Sequence, residues 1–295
     1  MNKIVVISGP TASGKTAFAV DYAIKNNGVI INADSRQILK GLPILSAQPS
    51  ENEKKQVAHV LYDYLEPTDD LSVGIWLDLV KIEIDKCLQN NKTPLVVGGT
   101  GMYISKLVNG ISKIPETTKE IREESIKLYN KVGYDKFREI TEKIDEESVK
   151  KINKNDKQRL MRIWEVYEMT KKTMSELQKQ PNISLYPSEY FKHINICPPK
   201  EITYNNCQIR FEKMLKIGVL DEVCEFHKKY KINSNTIGYG DCLEFINKKI
   251  TQVDLIERVT RNTRKYAKRQ YTWFAYQFKK FDEIITCSAA FKNLN

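Results

Sequence analysis

The segment from Gly9 to Thr16, with the sequence GPTASGKT, constrains the fold of this chain more than any other feature. It fits the pattern G-x-x-x-x-G-K-[ST] and follows residues 3–8, a short β-branched apolar run that predicts a buried strand. Beyond it, apolar residues recur at spacings of three and four to about residue 26, which predicts a helix. The pattern therefore predicts a phosphate-binding loop made of Gly9, Pro10, Thr11, Ala12, Ser13, Gly14, Lys15 and Thr16.

The chemistry of this loop suits a diphosphate or triphosphate group. Its glycines let backbone N–H groups converge on phosphate oxygens, and the helix N-terminus adds positive potential. Lys15 supplies a point charge, and the Thr16 hydroxyl can bind Mg²⁺. The loop does not distinguish one phosphate ligand from another.

The remaining pattern predicts an α/β fold with a helical insertion. Strands are expected at residues 29–31 and 94–97 with a helix at 76–88 between them, and continuously apolar strands are typical of a parallel sheet covered on both faces. Residues 113–188 are Lys/Glu-rich with amphipathic helical periodicity, and a strand follows at 191–197. We therefore expect a core of residues 1–112 and 189–295, interrupted by a helical insertion at 113–188.

Two polar side chains follow predicted strands. Loops at the carboxyl ends of parallel strands converge, so Asp34 should lie near the phosphate loop, where a carboxylate can accept a proton from a nucleophile. A helix-capping role for Asp34 fits its position equally well. The strand at 94–97 runs into Gly98-Gly99-Thr100-Gly101 without a carboxylate, which argues against phosphoryl transfer. These glycines suggest close backbone approach to a ligand, with the Thr100 hydroxyl as a polar contact.

Charge and cysteine content narrow the class of protein. Residues 1–110 carry equal numbers of acidic and basic side chains, so the whole formal charge of +10 lies in residues 111–295. The six cysteines are dispersed without a C-x-x-C pair, which disfavours structural zinc and fits a reducing compartment. No apolar run is long enough to span a membrane, and the N-terminus does not resemble a signal peptide. We therefore expect a cytoplasmic protein.

A basic helix is predicted near the C-terminus. At 100° per residue, six basic residues fall within about 140° of arc: Arg258, Arg261, Arg264, Lys265, Lys268 and Arg269. The opposite face carries Ile256, Val259, Tyr266, Ala267 and Phe274. One face is expected to pack and the other to meet a polyanion, although a merely solvated face remains an alternative.

Several segments, taken together, resemble bacterial tRNA dimethylallyltransferases. They are, in the family's order, GPTASGKT, INADSRQ, VGGTGMYI, NDKQRLMRIWEVYEMT, IGY and TRKYAKRQYTWF. The resemblance implies a fold like that of P-loop kinases, with a helical insertion that grips the anticodon arm. It implies transfer of a dimethylallyl group from dimethylallyl diphosphate to the exocyclic amine of the adenosine beside the anticodon of tRNA. A monomer is expected on the same ground.

The resemblance also implies roles for individual residues. Residues 11–16, with Lys15 among them, would hold the diphosphate together with Mg²⁺, Asp34 would be the general base, and Arg210 would bind the leaving diphosphate. Contacts with tRNA would come from Asp34, Ser35, Arg36, Gln37, Thr100, Arg122, Gln158, Arg159, Leu160, Met161 and Arg162. To these the basic helix adds Arg261, Lys265 and Lys268. The chain departs from the family pattern at Gln48, Glu201, Asn206 and Ala275, where members often carry basic residues.

Three other functions remain open on the sequence. A small-molecule or nucleotide kinase would use the same loop but would have little need for the basic remainder of the chain. A prenyltransferase acting on free adenine nucleotides would need neither the basic helix nor the insertion. An RNA-binding protein switched by a nucleotide would tolerate loss of Asp34 and release no diphosphate.

Overall fold

The computed structural model describes residues 3–278 and 281–286. In its first part, short apolar runs alternate with amphipathic segments as the sequence predicts. The elements are β1 (Ile4–Ser8), α1 (Lys15–Lys25), β2 (Gly28–Asn32), α2 (Glu51–Gln56), β3 (His59–Val60), α3 (Val73–Gln89), β4 (Thr93–Gly98) and α4 (Gly101–Asn109). The predicted strands and helices of this part are confirmed, whereas the two-residue β3 is too short to leave a readable pattern in the sequence.

Helices dominate the rest of the chain. They are α5 (Lys119–Ile144), α6 (Glu146–Lys150), α7 (Lys157–Thr170) and α8 (Met174–Lys179), followed after β5 (Phe191–Ile196) by α9 (Lys200–Lys216), α10 (Val219–Tyr230), α11 (Tyr239–Ile246) and α12 (Gln252–Gln277), with β6 (Glu283–Ile285) last. No helix in the described ranges is both long and apolar enough to cross a membrane. Cys287 lies outside the described residues.

All six strands form one parallel sheet in the order β3-β2-β4-β1-β5-β6. The register pairs Val6 with Val96 on one side and with His193 on the other. One face of the sheet packs against α1, burying Val5, Ile7, Ala19 and Leu95 among others. On the other face, the fully buried Trp76 of α3 donates through Nε1 to the Asn32 carbonyl at 3.0 Å. The parallel sheet covered on both faces is thus confirmed.

The chain divides into two compact units. The first comprises the residues up to Val108 and from Tyr186 onward, and includes the whole sheet with α9 to α12. The second runs from Asn109 to Leu185, close to the 113–188 proposed from the sequence. Sheet strands therefore precede and follow an all-helical stretch of chain.

The second unit has a core of its own. Phe137 and Val149 pack with Leu160, Ile163 and Trp164, which share one face of α7. Asp156 caps α7 by accepting a hydrogen bond from Arg159 N at 3.1 Å.

An antiparallel bridge joins the two ends of the second unit. Ile111 N donates to Ile183 O at 3.0 Å, and Ile183 N donates to Ile111 O at 2.9 Å. Gly110 has φ +77°, and a Cβ atom there would lie 2.7 Å from Ile183 O, so this crossing requires glycine.

Candidate active site

The phosphate loop has the backbone geometry that its glycines permit. Gly9 has φ +148°, and a Cβ atom there would lie 2.2 Å from the Ile196 carbonyl oxygen. Gly14 has φ +82° and forms the N-cap of α1. The Lys15 ammonium lies over the loop and donates from Nζ to the Pro10 carbonyl oxygen at 2.6 Å. The lysine thus folds back onto its own loop, and the free N–H groups of the first turn of α1 lie next to the loop.

Three charged groups influence one another at the carboxyl ends of the strands. Burial lowers the pKa of Lys15 to about 8, while the Asp34 carboxylate opposes this shift and the Arg210 guanidinium adds to it. Burial also lowers the pKa of Arg210, against the effects of Cys207 and Asp34. Two cations thus share a desolvated region with one carboxylate, an arrangement that favours an anionic ligand.

The segment after β2 fixes Asp34. The Asn32 side chain accepts a hydrogen bond from Asp34 N at 2.9 Å and donates to the Asp34 carbonyl at 3.0 Å. It also donates to the Leu61 carbonyl at 2.9 Å, so Asn32 is held from two sides. Asp34 Oδ1 accepts from Arg36 N at 2.8 Å. The carboxylate therefore orders a turn, and the helix-capping alternative is wrong because the next helix, α2, begins only at Glu51.

The glycines at the end of β4 and after it leave room for protein atoms that pack closely against the backbone. A Cβ atom at Gly98 would lie 2.1 Å from the Ala33 carbonyl oxygen, and one at Gly101 would lie 2.0 Å from Cδ1 of Trp273. Thr100 Oγ1 accepts a hydrogen bond from Ser35 N at 3.0 Å, which ties this turn to the segment after β2. Glycine is needed here because two backbone segments and an indole ring pack together.

Helix α12 supplies two site residues, Tyr266 and Gln270, to which the sequence analysis assigned no role in the site although both lie in the segment TRKYAKRQYTWF. Gln270 is 5% exposed; its Oε1 accepts from Thr11 N at 2.7 Å and its Nε2 donates to Gly99 O at 2.8 Å. One side chain thus connects the phosphate loop with the turn after β4. Burial, reinforced by Asp34, raises the pKa of the Tyr266 hydroxyl. Polar residues on the packing face of an amphipathic helix were the available signal for both.

These elements enclose a pocket of about 280 Å³ in the first unit. Its charged and polar lining comprises Thr11, Asp34, Ser35, Arg36, Ser46, Arg210, Asn235, Thr236, Thr263, Tyr266 and Arg269. Its apolar lining comprises Leu45, Phe211, Met214, Ile237 and Val259. The pocket therefore suits a ligand with an anionic head and a hydrocarbon tail.

The basic face of α12 is narrower than the sequence suggests. Arg261, Lys265, Lys268 and Arg269 are exposed. By contrast, Arg258 forms an ion pair with Glu244 at 2.8 Å, and Arg264 donates from Nε to the Tyr204 carbonyl at 3.1 Å. Val259, Ala267 and Phe274 are buried on the opposite face, as expected.

The residues of the second unit that were predicted to contact tRNA differ in their exposure. Arg122, Gln158 and Arg159 are exposed. Leu160 and Met161 are 0% and 8% exposed and pack in the helical core, so little of either side chain is accessible. Arg162 donates to the Pro115 carbonyl at 2.6 Å and to the Thr117 hydroxyl, and burial lowers its pKa.

Other positions singled out in the sequence support loops. Gln37 donates to the carbonyls of Ser46 at 3.0 Å and Ala47 at 2.6 Å, while Gln48 donates back to the Gln37 carbonyl at 3.0 Å. Of the positions that depart from the family pattern, Asn206 donates to the Ala12 carbonyl at 3.2 Å and so contacts the phosphate loop. Glu201 and Ala275 are exposed.

Comparison with known sequences identifies the family. The sequence profile described as IPP transferase matches residues 37–277. The chain belongs to the IPP transferase family. Its relatives include the tRNA dimethylallyltransferase of Rickettsia massiliae, 36% identical over 94% of this chain and 77% of that one. Another is the tRNA dimethylallyltransferase of Ehrlichia chaffeensis, 36% identical over 95% of this chain and 92% of that one.

Solved structures of IPP transferase relatives have the same α/β fold. A eukaryotic dimethylallyltransferase acting on tRNA aligns with a TM-score of 0.82 at 25% identity, covering 93% of this chain and 70% of that one. The tRNA isopentenylpyrophosphate transferase of Bacillus halodurans aligns with a TM-score of 0.65 at 27% identity, covering 97% and 89%. The α/β class with a P-loop core, predicted from the sequence, is confirmed.

Proposed function

We propose that this protein transfers the dimethylallyl group of dimethylallyl diphosphate to the exocyclic amine of the adenosine adjacent to the anticodon in tRNA, releasing diphosphate. Membership of the IPP transferase family supports this activity, as do relatives named for it. The structural observation that carries the proposal is the pocket in which Thr11, Asp34 and Arg210 meet an apolar end.

The diphosphate is assigned to the phosphate loop. Backbone N–H groups of the loop, Lys15 and Arg210 would bind its oxygens, and these preorganised charges stabilise the negative charge that grows as the leaving group departs. The Lys15 ammonium donates to the Pro10 carbonyl. We expect it to exchange this partner for a phosphate oxygen.

The loop also fits Mg²⁺. The Ser13 hydroxyl is buried and has no hydrogen-bond partner among the described residues, and Thr16 follows on the first turn of α1. Residues 3–278 and 281–286 contain no group of three or more His, Cys, Asp or Glu placed to hold a metal. The Thr16 hydroxyl, diphosphate oxygens and water would therefore supply the ligands. The ion would add positive charge beside the leaving group.

Asp34 is the proposed general base. The amine nitrogen forms a bond to the allylic carbon while the carbon–oxygen bond to diphosphate breaks, and diphosphate leaves with the bonding electron pair. The amine proton passes to the Asp34 carboxylate. An adenine amine is a weak nucleophile because its lone pair is delocalised into the ring, so help of this kind is worth about 10²–10⁴ in rate.

The RNA is assigned to the exposed basic side chains. Arg261, Lys265, Lys268 and Arg269 on α12 can bind backbone phosphates, as can Arg122 and Arg159 in the second unit. The reacting base must leave the anticodon loop to reach the pocket, which costs a few kcal/mol. Ser35 and Arg36 lie in the pocket with Asp34 and would meet that base.

We also propose that the protein acts in the cytoplasm as a monomer. Five cysteines in the described part of the chain are free thiols, in keeping with a reducing compartment. Light scattering coupled to gel filtration measures the oligomeric state directly, and a stable dimer would contradict the proposal.

The decisive experiment incubates the protein with dimethylallyl diphosphate, Mg²⁺ and unmodified tRNA and analyses the digested nucleosides by mass. We expect one adenosine to gain the mass of a dimethylallyl group with loss of one proton. Transfer of phosphate from ATP instead would indicate a kinase, and reaction with free nucleotides alone would remove tRNA from the proposal.

A pair of variants tests the base. Asp34→Asn should retain tRNA binding and lower turnover by about 10²–10⁴. Asp21→Asn, on an exposed position of α1, should leave turnover unchanged. Normal single-turnover chemistry in Asp34→Asn would refute the role of this carboxylate.

A further inference from the structure

Helices α9 and α12 run antiparallel along the two sides of the pocket. At one end Thr203 Oγ1 and Tyr271 Oη are hydrogen-bonded at 2.7 Å. At the other end Phe211 and Met214 of α9 share one core cluster with Val259 of α12. Positions early in α9 therefore face positions late in α12.

Polarity changes in the same direction along both helices. Near the phosphate loop, Asn206 donates to the Ala12 carbonyl at 3.2 Å and Gln270 accepts from Thr11 N at 2.7 Å. Beyond Arg210, α9 presents only apolar side chains to the pocket. The side chains that α12 presents to the pocket become less polar in the same direction, from Tyr266 through Thr263 to Val259. The side chains that α9 and α12 present to the pocket thus change from polar near the phosphate loop to apolar at Met214 and Val259, and we call this second region the apolar end. Ser46, Asn235 and Thr236 of other segments also line the pocket.

Met214 lies on the same face of α9 as Arg210. Residues at positions 207, 210, 211 and 214 line the pocket, which is the spacing of one helical face. With a rise of 1.5 Å per residue, Met214 lies about 6 Å beyond Arg210 along the axis. Met214 is 6% exposed, and the buried Val219, Val223 and Cys242 belong to the same core cluster. The side chain therefore closes the apolar end against the protein core.

We infer that this apolar end receives the hydrocarbon tail of the prenyl donor and that Met214, opposed by Val259, sets the length of the tail that the pocket admits. The inference rests on the proposed function. The dimethylallyl group has a longest chain of four carbons, whereas a geranyl group adds a further five-carbon unit that must extend past Met214. Bond making and breaking are the same for both donors, so any difference between them arises from the space available to the tail.

The experiment compares dimethylallyl diphosphate with geranyl diphosphate as donors to unmodified tRNA. In Met214→Ala we expect the ratio of kcat/KM for geranyl to that for dimethylallyl diphosphate to rise at least ten-fold. Val259→Ala opens the same end from the opposite helix and should raise the ratio in the same direction. It provides a second test if Met214→Ala folds poorly.

Met174→Ala is the matched control, because Met174 is equally apolar and 8% exposed but lies in the core of the second unit. Its donor ratio should stay within two-fold of the unsubstituted protein. Unchanged ratios in folded Met214→Ala and Val259→Ala would overturn the inference. So would an unchanged ratio combined with a raised KM for tRNA, which would mean that the apolar end receives the base.

Calorimetric binding of the two diphosphates without tRNA separates this inference from the proposed function. If the unsubstituted protein transfers no prenyl group, the proposed function fails. The donor affinities of the three variants still test the role of Met214, since a longer tail should bind more tightly only when Met214 or Val259 is shortened.

Discussion

Gln270 provides the sharpest test of how the site is held together. Its amide accepts from Thr11 N at 2.7 Å and donates to Gly99 O at 2.8 Å, and the residue is 5% exposed. Replacement by Leu keeps a similar volume but leaves the buried Gly99 carbonyl and the partly buried Thr11 N–H without partners. Each such group costs about 1–3 kcal/mol, so Gln270→Leu should lower the free energy of unfolding by about 2–6 kcal/mol.

Urea unfolding followed by tryptophan fluorescence measures this loss. Gln277→Leu is the control, because Gln277 is exposed on the last turn of the same helix. Its stability should change by less than about 0.5 kcal/mol, as is usual for surface positions. If Gln270→Leu loses no more stability than Gln277→Leu, the connection between the phosphate loop and the turn after β4 has no energetic role.

Gln270→Glu adds a dependence on pH. One carboxylate oxygen can still accept from Thr11 N, but the other faces the Gly99 carbonyl oxygen, and neither of these two oxygens can donate. This repulsion should raise the pKa of the introduced carboxyl group. The protonated form restores the lost donor. The stability deficit relative to the unsubstituted protein should therefore be smallest at about pH 5 and grow towards pH 8. A deficit that shrinks as pH rises would contradict this geometry.

Three further predictions concern charge. Because the pKa of Lys15 is lowered to about 8, the affinity for diphosphate should fall about ten-fold between pH 7 and pH 9. Calorimetry at several pH values measures this fall. In Lys15→Arg, whose side chain keeps its charge over this range, the affinity should not fall. Burial lowers the pKa of His193 to about 4, so the neutral ring is favoured in the fold. The free energy of unfolding should therefore fall by ~3 kcal/mol on account of His193 as the pH drops from about 6.5 to 4. His193→Gln should lack this part of the loss at acidic pH. If the variant loses stability with the same dependence on pH, His193 is not its source. The exposed Lys265 and Lys268 should each contribute about −0.7 to −0.9 to the log–log salt slope of tRNA binding. Replacing both by Gln should flatten the slope accordingly, and an unchanged slope would remove them from the interface.

Local rules predicted the part of the site that lies at strand ends. Asp34 and Thr100 follow β2 and β4, and the carboxyl ends of neighbouring parallel strands share one edge of the sheet. Their convergence near the phosphate loop needed only the order of elements. The strand β6 could not be predicted in the same way, because three residues carry too little periodicity.

Contacts between distant parts of the chain were beyond sequence reasoning. Gln270 reaches Thr11 across 259 positions, and no local pattern identifies its partner. Helical periodicity, by contrast, was sufficient for the packing face of α7, where Leu160, Ile163 and Trp164 lie in the core of the second unit.

The bridge between Ile111 and Ile183 has a consequence for the architecture as a whole. A hydrogen-bonded antiparallel pair holds its Cα atoms about 5.5 Å apart, so the chain leaves the sheet-containing unit and returns to it at almost one point. Closing a loop at such a point costs little more when the loop is long than when it is short. The stretch between the two isoleucines can therefore lengthen, shorten or be exchanged for another without disturbing the strands. The length of the helical unit is thus decoupled from the register of the strands on either side of it.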